Sequence, residues 1–219
     1  MTHAPETVRL AYHEASHAAA AYIFGCPVAL VSIRPGTHYA GITTWAPRRF
    51  PGEPPVELPA IAWPARPRRA IETSIVVLLA GRMGAMLRGW PEESGYHTSP
   101  DEEEAERATR ILAGLTTRET LALTELETDT ERRPPDEVRA RKLSWAIAGS
   151  EEVDMHLAYM RAVTRSVVSN PNFGRLLEAL VPELLERGVL SGRRVREIFN
   201  AVDVSTKGPM EIAAAQEEI

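Results

Sequence analysis

The stretch His13-Glu14-Ala15-Ser16-His17 constrains this chain more than any other. If it is helical, His13 and His17 lie one turn apart on one face, close enough for both imidazoles to bind a single metal ion. Glu14 then sits about 100° round the helix from His13, where a carboxylate can hold a water molecule and take its proton. The flanking residues favour the helix. Thr7 is placed to cap its start, and Val8, Tyr12, Ala15, Ala19 and Ile23 recur at roughly helical spacing. Gly25 can end it and Pro27 prevents its resumption. The run Ala18-Ala19-Ala20-Ala21 is small enough for a neighbouring helix or a metal shell to approach closely.

H-E-x-x-H is the arrangement of zinc hydrolases, most of which are peptidases. A lone core histidine usually just packs and hydrogen-bonds, but two histidines around a glutamate at this spacing favour a metal, and Zn2+ is the expected ion. Two His ligands call for a third protein ligand and an open position for water. Ser99-Pro100-Asp101-Glu102 can open a helix, with Ser99 and Glu102 as a capping box and Pro100 at the first helical position. Asp101, Ala105, Ala108 and Leu112 fall on one line of that helix, so Asp101 points with the apolar face. The acids Asp101 to Glu104 would equally complement the helix dipole. Asp101 is the expected third ligand, with Glu104 and His97 as alternatives. His3, His38 and His156 have no partner pattern.

With 219 residues and 44% hydrophobic composition, the chain suits one large soluble domain, or a core domain with a helical extension. A net charge of -5 gives no global reason to expect nucleic acid or an anionic membrane as partner. The single cysteine, Cys26, excludes an intrachain disulfide and fits a reducing compartment. Met1 to Glu6 show no secretory signal, and the most apolar segment, Ile75 to Ala80, is too short to span a bilayer. A cytoplasmic location is expected.

Val28 to Ile33 and Tyr39 to Trp45, joined through Pro35-Gly36, predict a β hairpin beside the motif helix. Such a strand can pair with an extended substrate backbone. Residues 46–69 are rich in proline and predict a long irregular loop, locally basic through Arg48, Arg49, Arg66, Arg68 and Arg69. Ala70 to Leu87 predicts a second, apolar helix. Thr116 and Glu119 suggest a capping box for a further helix, which Pro134-Pro135 would end. Arg139 to Ala148 reads as a helix stopped at Gly149, and Ser150 caps a long one to about Ser169. Asn170-Pro171 starts another, closed by Gly188, and Ser191 caps a last one to about Val202. The tail from Asp203 to Ile219 is small, polar and acidic, and is expected to be mobile or weakly helical. The fold class is therefore mainly α, a helical zinc-peptidase domain over 1–202 with a small β hairpin.

At several points the chain resembles the peptidase domain of the FtsH family of AAA proteases. Ala11-Tyr12-His13-Glu14-Ala15-Ser16-His17-Ala18 is similar to the family's A-Y-H-E-A-G-H-A, with Ser16 in place of Gly. Val31 to Pro35 and Gly41-Ile42-Thr43 resemble its hairpin, and Leu79-Ala80-Gly81-Arg82 its L-G-G-R helix. Thr98-Ser99-Pro100-Asp101 with Ala105 resembles the segment carrying the family's aspartate ligand. Leu176 to Leu180 and Leu190 to Val195 resemble its C-terminal L-A-x-A-L-L-E-x-x-x-L-x-G-x-x-V. The resemblance implies a mainly helical zinc peptidase with His13, His17 and Asp101 as ligands and Glu14 as general base. It also allows a homo-oligomer, since these domains assemble as rings. Pro100 replaces the family's Asn, and no phosphate loop of the G-x-x-x-x-G-K-[ST] type is present.

The leading expectation is an ATP-independent zinc endopeptidase acting on peptides or unstructured protein segments. A catalytically silent or partner-dependent peptidase-like binding module is the alternative, and a zinc hydrolase with a non-peptide substrate is a third.

Overall fold

The computed structural model of the chain describes residues 3–36, 40–46, 65–90 and 136–202. These residues are mainly helical and carry one small antiparallel sheet.

Helix α1 (Pro5–Ile23) contains the H-E-x-x-H stretch, as expected. It begins two residues before the expected cap at Thr7. Ala4 is the N-cap with no side-chain bond, and Pro5 starts the helix, where its missing N–H has no intrahelical partner to lose. Gly25 ends it at φ 66°, a left-handed conformation that suits glycine. Ala11, Ala15, Ala18, Ala19, Ala20 and Ala21 are all fully buried. Their small side chains let α1 lie close to several neighbours at once.

Strands β1 (Val28–Ser32) and β2 (Ile42–Trp45) form the expected hairpin, with Val31 opposite Thr43 and Ser32 opposite Ile42. The returning strand starts at Ile42 rather than Tyr39, which lies outside the described residues.

Helix α2 (Ala65–Leu87) starts five residues before the expected Ala70 and takes in the end of the predicted proline-rich loop. Pro67 causes no break because it falls in the first turn, where backbone N–H groups lack helical acceptors. Ile75 to Ala80 are buried without a gap, the mark of a core helix packed on all sides. Arg68–Leu87 is long and apolar enough to cross a membrane by length and composition, yet 56% of its most apolar window is buried within the protein.

Helix α3 (Asp136–Val168) is one helical run. A straight helix would separate Glu137 from Arg161 by about 36 Å, yet the Arg161 guanidinium Nε lies 3.1 Å from Glu137 Oε1. Arg141 likewise pairs with Asp154. The run therefore folds back on itself between Arg141 and Asp154, and its two arms lie antiparallel. This interval contains Gly149 and Ser150, the expected stop and cap. The first arm starts at Asp136, three residues before the expected Arg139.

Helix α4 (Pro171–Arg187) is capped by Asn170, whose side chain accepts from the Asn172 N–H at 2.9 Å, and ends at Gly188 with φ 74°. Strand β3 (Val189–Ser191) then adds to β1, giving the sheet order β2-β1-β3. Three residues are too few to display strand periodicity, so the sequence does not predict this strand. Helix α5 (Gly192–Ala201) begins at the expected cap, Ser191, whose hydroxyl accepts from the Arg194 N–H. Leu176, Leu177, Leu180 and Leu184 of α4 join Phe199 of α5 and the alanine face of α1 in one core. The acidic tail from Asp203 lies outside the described residues.

Candidate metal centre

The site is built where α1 crosses α2. His13 and His17 bring their Nε2 atoms to 3.1 Å, with the rings edge-on at 80°. His17 is buried, and its Nδ1–H donates to the Val77 carbonyl at 2.7 Å. In the neutral ring that bond leaves Nε2 as the nitrogen able to ligate, and it fixes the ring's orientation, as metal-ligating histidines require.

Gly81 makes this approach feasible. A Cβ there would lie 2.3 Å from His17 Nε2 and 2.9 Å from His13 Nε2. Only a residue without a side chain lets α2 come near enough for His17 to reach Val77. Three residues on, a Cβ at Gly84 would lie 2.1 Å from Ser16 Oγ, so the same close crossing continues along the helices.

The third donor is Asp136, the first residue of α3. Its Oδ2 lies 3.0 Å from His17 Nε2 and 3.4 Å from His13 Nε2. The three donor atoms lie within 4.8 Å of one another. A tetrahedral zinc site with bonds of about 2.0–2.1 Å has ligand–ligand edges of about 3.3 Å. The observed spacings of 3.0 to 3.4 Å match such a site. Two imidazoles and one carboxylate also make a donor set that holds divalent cations.

The three side chains are strongly coupled electrostatically. Burial alone would raise the Asp136 carboxyl, but the adjacent His17 charge, hydrogen bonds from His13 and His17, and Arg139 hold it well below the usual carboxylate range. Burial would lower His17, and the Asp136 carboxylate, Glu14 and the Val77 carbonyl together push it up instead. In the metal-free chain the Asp136 and Glu14 carboxylates thus favour a proton on His17, which a metal ion would have to displace.

Glu14 lies beside it, buried against the hairpin. The Thr43 hydroxyl of β2 lies 2.7 Å from Glu14 Oε2 and 2.9 Å from the Glu14 carbonyl oxygen, so its one proton serves these two acceptors. Gly41 presses on the other side, where a Cβ would lie 2.9 Å from Glu14 Oε1. Trp45, also on β2, stacks on His17 with ring centroids 5.9 Å apart and planes 17° from parallel.

His13 and His17 thus meet as expected, with Glu14 next to them. Asp101, Glu104 and His97 lie outside the described residues, and the carboxylate that reaches the histidines within them is Asp136. A sequence signal for it exists. Pro-Asp-Glu occurs at 100–102 and again at 135–137, each time suited to opening a helix with an acid in its first turn. Pro134-Pro135 reads as a stop, and that masks the second occurrence. No protein-family model matches this chain, and no curated protein matches it significantly.

Proposed function

We propose that the chain is a zinc-dependent metallopeptidase that cleaves peptides or unstructured protein segments, of the kind its FtsH-like motifs suggest. The observation that carries this reading is the His13, His17 and Asp136 group beside a buried, hydrogen-bonded Glu14. When bound, Zn2+ would polarise the scissile carbonyl and acidify the attacking water.

The chain's own residues do the rest. Glu14 accepts the proton of the water as its oxygen bonds to the carbonyl carbon, and returns that proton to the nitrogen as the C–N bond breaks. Thr43 restrains the carboxylate, so Glu14 need not be ordered during reaction. His17 keeps one tautomer through Val77. Among the described residues β2 pairs on one side only, with β1. Its other edge can pair with an extended peptide backbone, a recognition mode that favours unfolded substrates.

The test is cleavage of casein by the zinc-loaded chain beside its Glu14→Gln variant. The reading requires cleavage by the wild type that is lost in a folded, zinc-binding variant. Equal cleavage by both, or none by either, rejects it.

A further inference from the structure

We propose that Arg139 is a positioning residue for the metal centre: it holds one oxygen of Asp136 and thereby presents the other to the ion. The inference rests on the His13, His17 and Asp136 centre and is independent of peptidase activity.

A carboxylate can bind a metal through one oxygen or both, and rotation of its terminal torsion costs little. The two oxygens of Asp136 are not equivalent here. Oδ2 faces His13 and His17, whereas Oδ1 lies 3.3 Å from Arg139 Nη1. Arg139 is three residues on in α3, so its side chain rises from the same face as Asp136.

The guanidinium is itself held in place. Its central carbon lies over the Trp45 ring, 6.0 Å from the centroid. Trp45 in turn stacks on His17. His17, Trp45, Arg139 and Asp136 therefore close a ring of contacts around one side of the site, tying β2 and α3 to the ligand set of α1. Only 20% of the Arg139 side chain is exposed, so this is not a freely moving surface arginine. A planar guanidinium can engage a carboxylate edge-on and an indole face-on at once, which an ammonium cannot do.

The sign of the effect separates positioning from plain charge. Coulomb's law alone says that removing a cation near a divalent ion tightens metal binding. Positioning says the reverse, because an unrestrained carboxylate must be ordered on binding.

The experiment measures Zn2+ and Co2+ affinity by chelator competition for the full chain, Arg139→Ala, Arg139→Gln and Arg139→Lys, with circular dichroism as the folding control. Loss of an outer partner of this kind weakens metal binding about 10- to 100-fold. Arg139→Ala and Arg139→Gln should fall in that range, Arg139→Lys should recover part of it, and the Co2+ absorption bands should change. In an Asp136→Ala background the weak residual affinity of the two histidines, read at raised metal concentration, should be the same with and without Arg139→Ala, which a general structural role would not produce. Unchanged or tighter binding in folded Arg139 variants overturns the proposal, as does an equal loss with and without Asp136. Failure of the wild type to bind either ion removes the metal centre and this role together. Metal binding without casein cleavage removes only the peptidase reading.

Discussion

Replacing Gly81 by alanine adds one methyl group at the tightest point of the site. Its Cβ would lie 2.3 Å from His17 Nε2, 2.5 Å from His17 Cε1 and 2.9 Å from His13 Nε2. Optimal separations between non-bonded heavy atoms are about 3.5–4.0 Å, so the closest contact is short by more than about 1 Å. His17 cannot swing clear, because its side chain is 4% exposed and its Nδ1 is tied to Val77. Either α1 and α2 separate or the imidazole leaves its bond.

In a helix interior an unobstructed Gly→Ala change stabilises by about 1 kcal/mol. Overpacking a close contact costs about 1–3 kcal/mol, so the net change in the metal-free chain should be a loss of roughly 0–2 kcal/mol. The effect on the metal should be larger, since the methyl displaces the donor nitrogens themselves. Zinc affinity should fall by at least the roughly 10- to 100-fold seen when a ligand loses its orienting partner. Urea unfolding of the metal-free chain and chelator competition read the two quantities separately. Gly81→Ala with wild-type zinc affinity and increased stability would refute the close crossing.

Three other outcomes are expected from named contacts. Gly84→Ala, whose Cβ would meet Ser16 rather than a donor nitrogen, should destabilise the chain in urea, and Ser16→Gly should restore much of the loss by making room. Thr43→Val should lower kcat/KM for casein about 10-fold, an effect of about 1.4 kcal/mol, with zinc affinity unchanged, and Thr43→Ser should retain activity; equal activity in all three would deny Thr43 its hold on Glu14. Burial would raise the Glu72 carboxyl, but His156 at 3.8 Å and Arg68, whose Nε donates at 3.0 Å, pull it below its ordinary value of 4.5. Its stabilising contribution is therefore full above about pH 4.5 and lost as pH falls through the lower folded value. Glu72→Gln should cost stability at pH 6 and little at pH 3 in matched urea titrations; a pH-independent difference would contradict this.

The sequence discloses what local spacing can encode. The H-E-x-x-H pair needs only helical geometry to bring His13 and His17 together, and Asn170, Gly188 and Ser191 mark their helix ends through bonds to near neighbours. The hairpin is legible because β-branched runs flank a Pro-Gly turn. Gly149-Ser150 anticipates the fold-back of α3, although the helical run is continuous there.

The features that stay hidden depend on tertiary approach. Asp136 reaches the histidines only because α3 packs along α2, and no spacing in the chain reports that. Gly81 is legible in the sequence only through the resemblance of Leu79-Ala80-Gly81-Arg82, and its packing role emerges only when α1 lies across it. Trp45 and Arg139 carry no signal of their own until β2 and α3 flank the same imidazole.

The central claim is that His13, His17 and Asp136 share one divalent ion. Metal analysis after equilibrium dialysis of wild type, Asp136→Ala and Asp101→Ala tests it most directly. One zinc per wild-type chain is expected, with retention by Asp101→Ala and loss by a folded Asp136→Ala. Stoichiometric zinc in Asp136→Ala, with loss in Asp101→Ala, would contradict it.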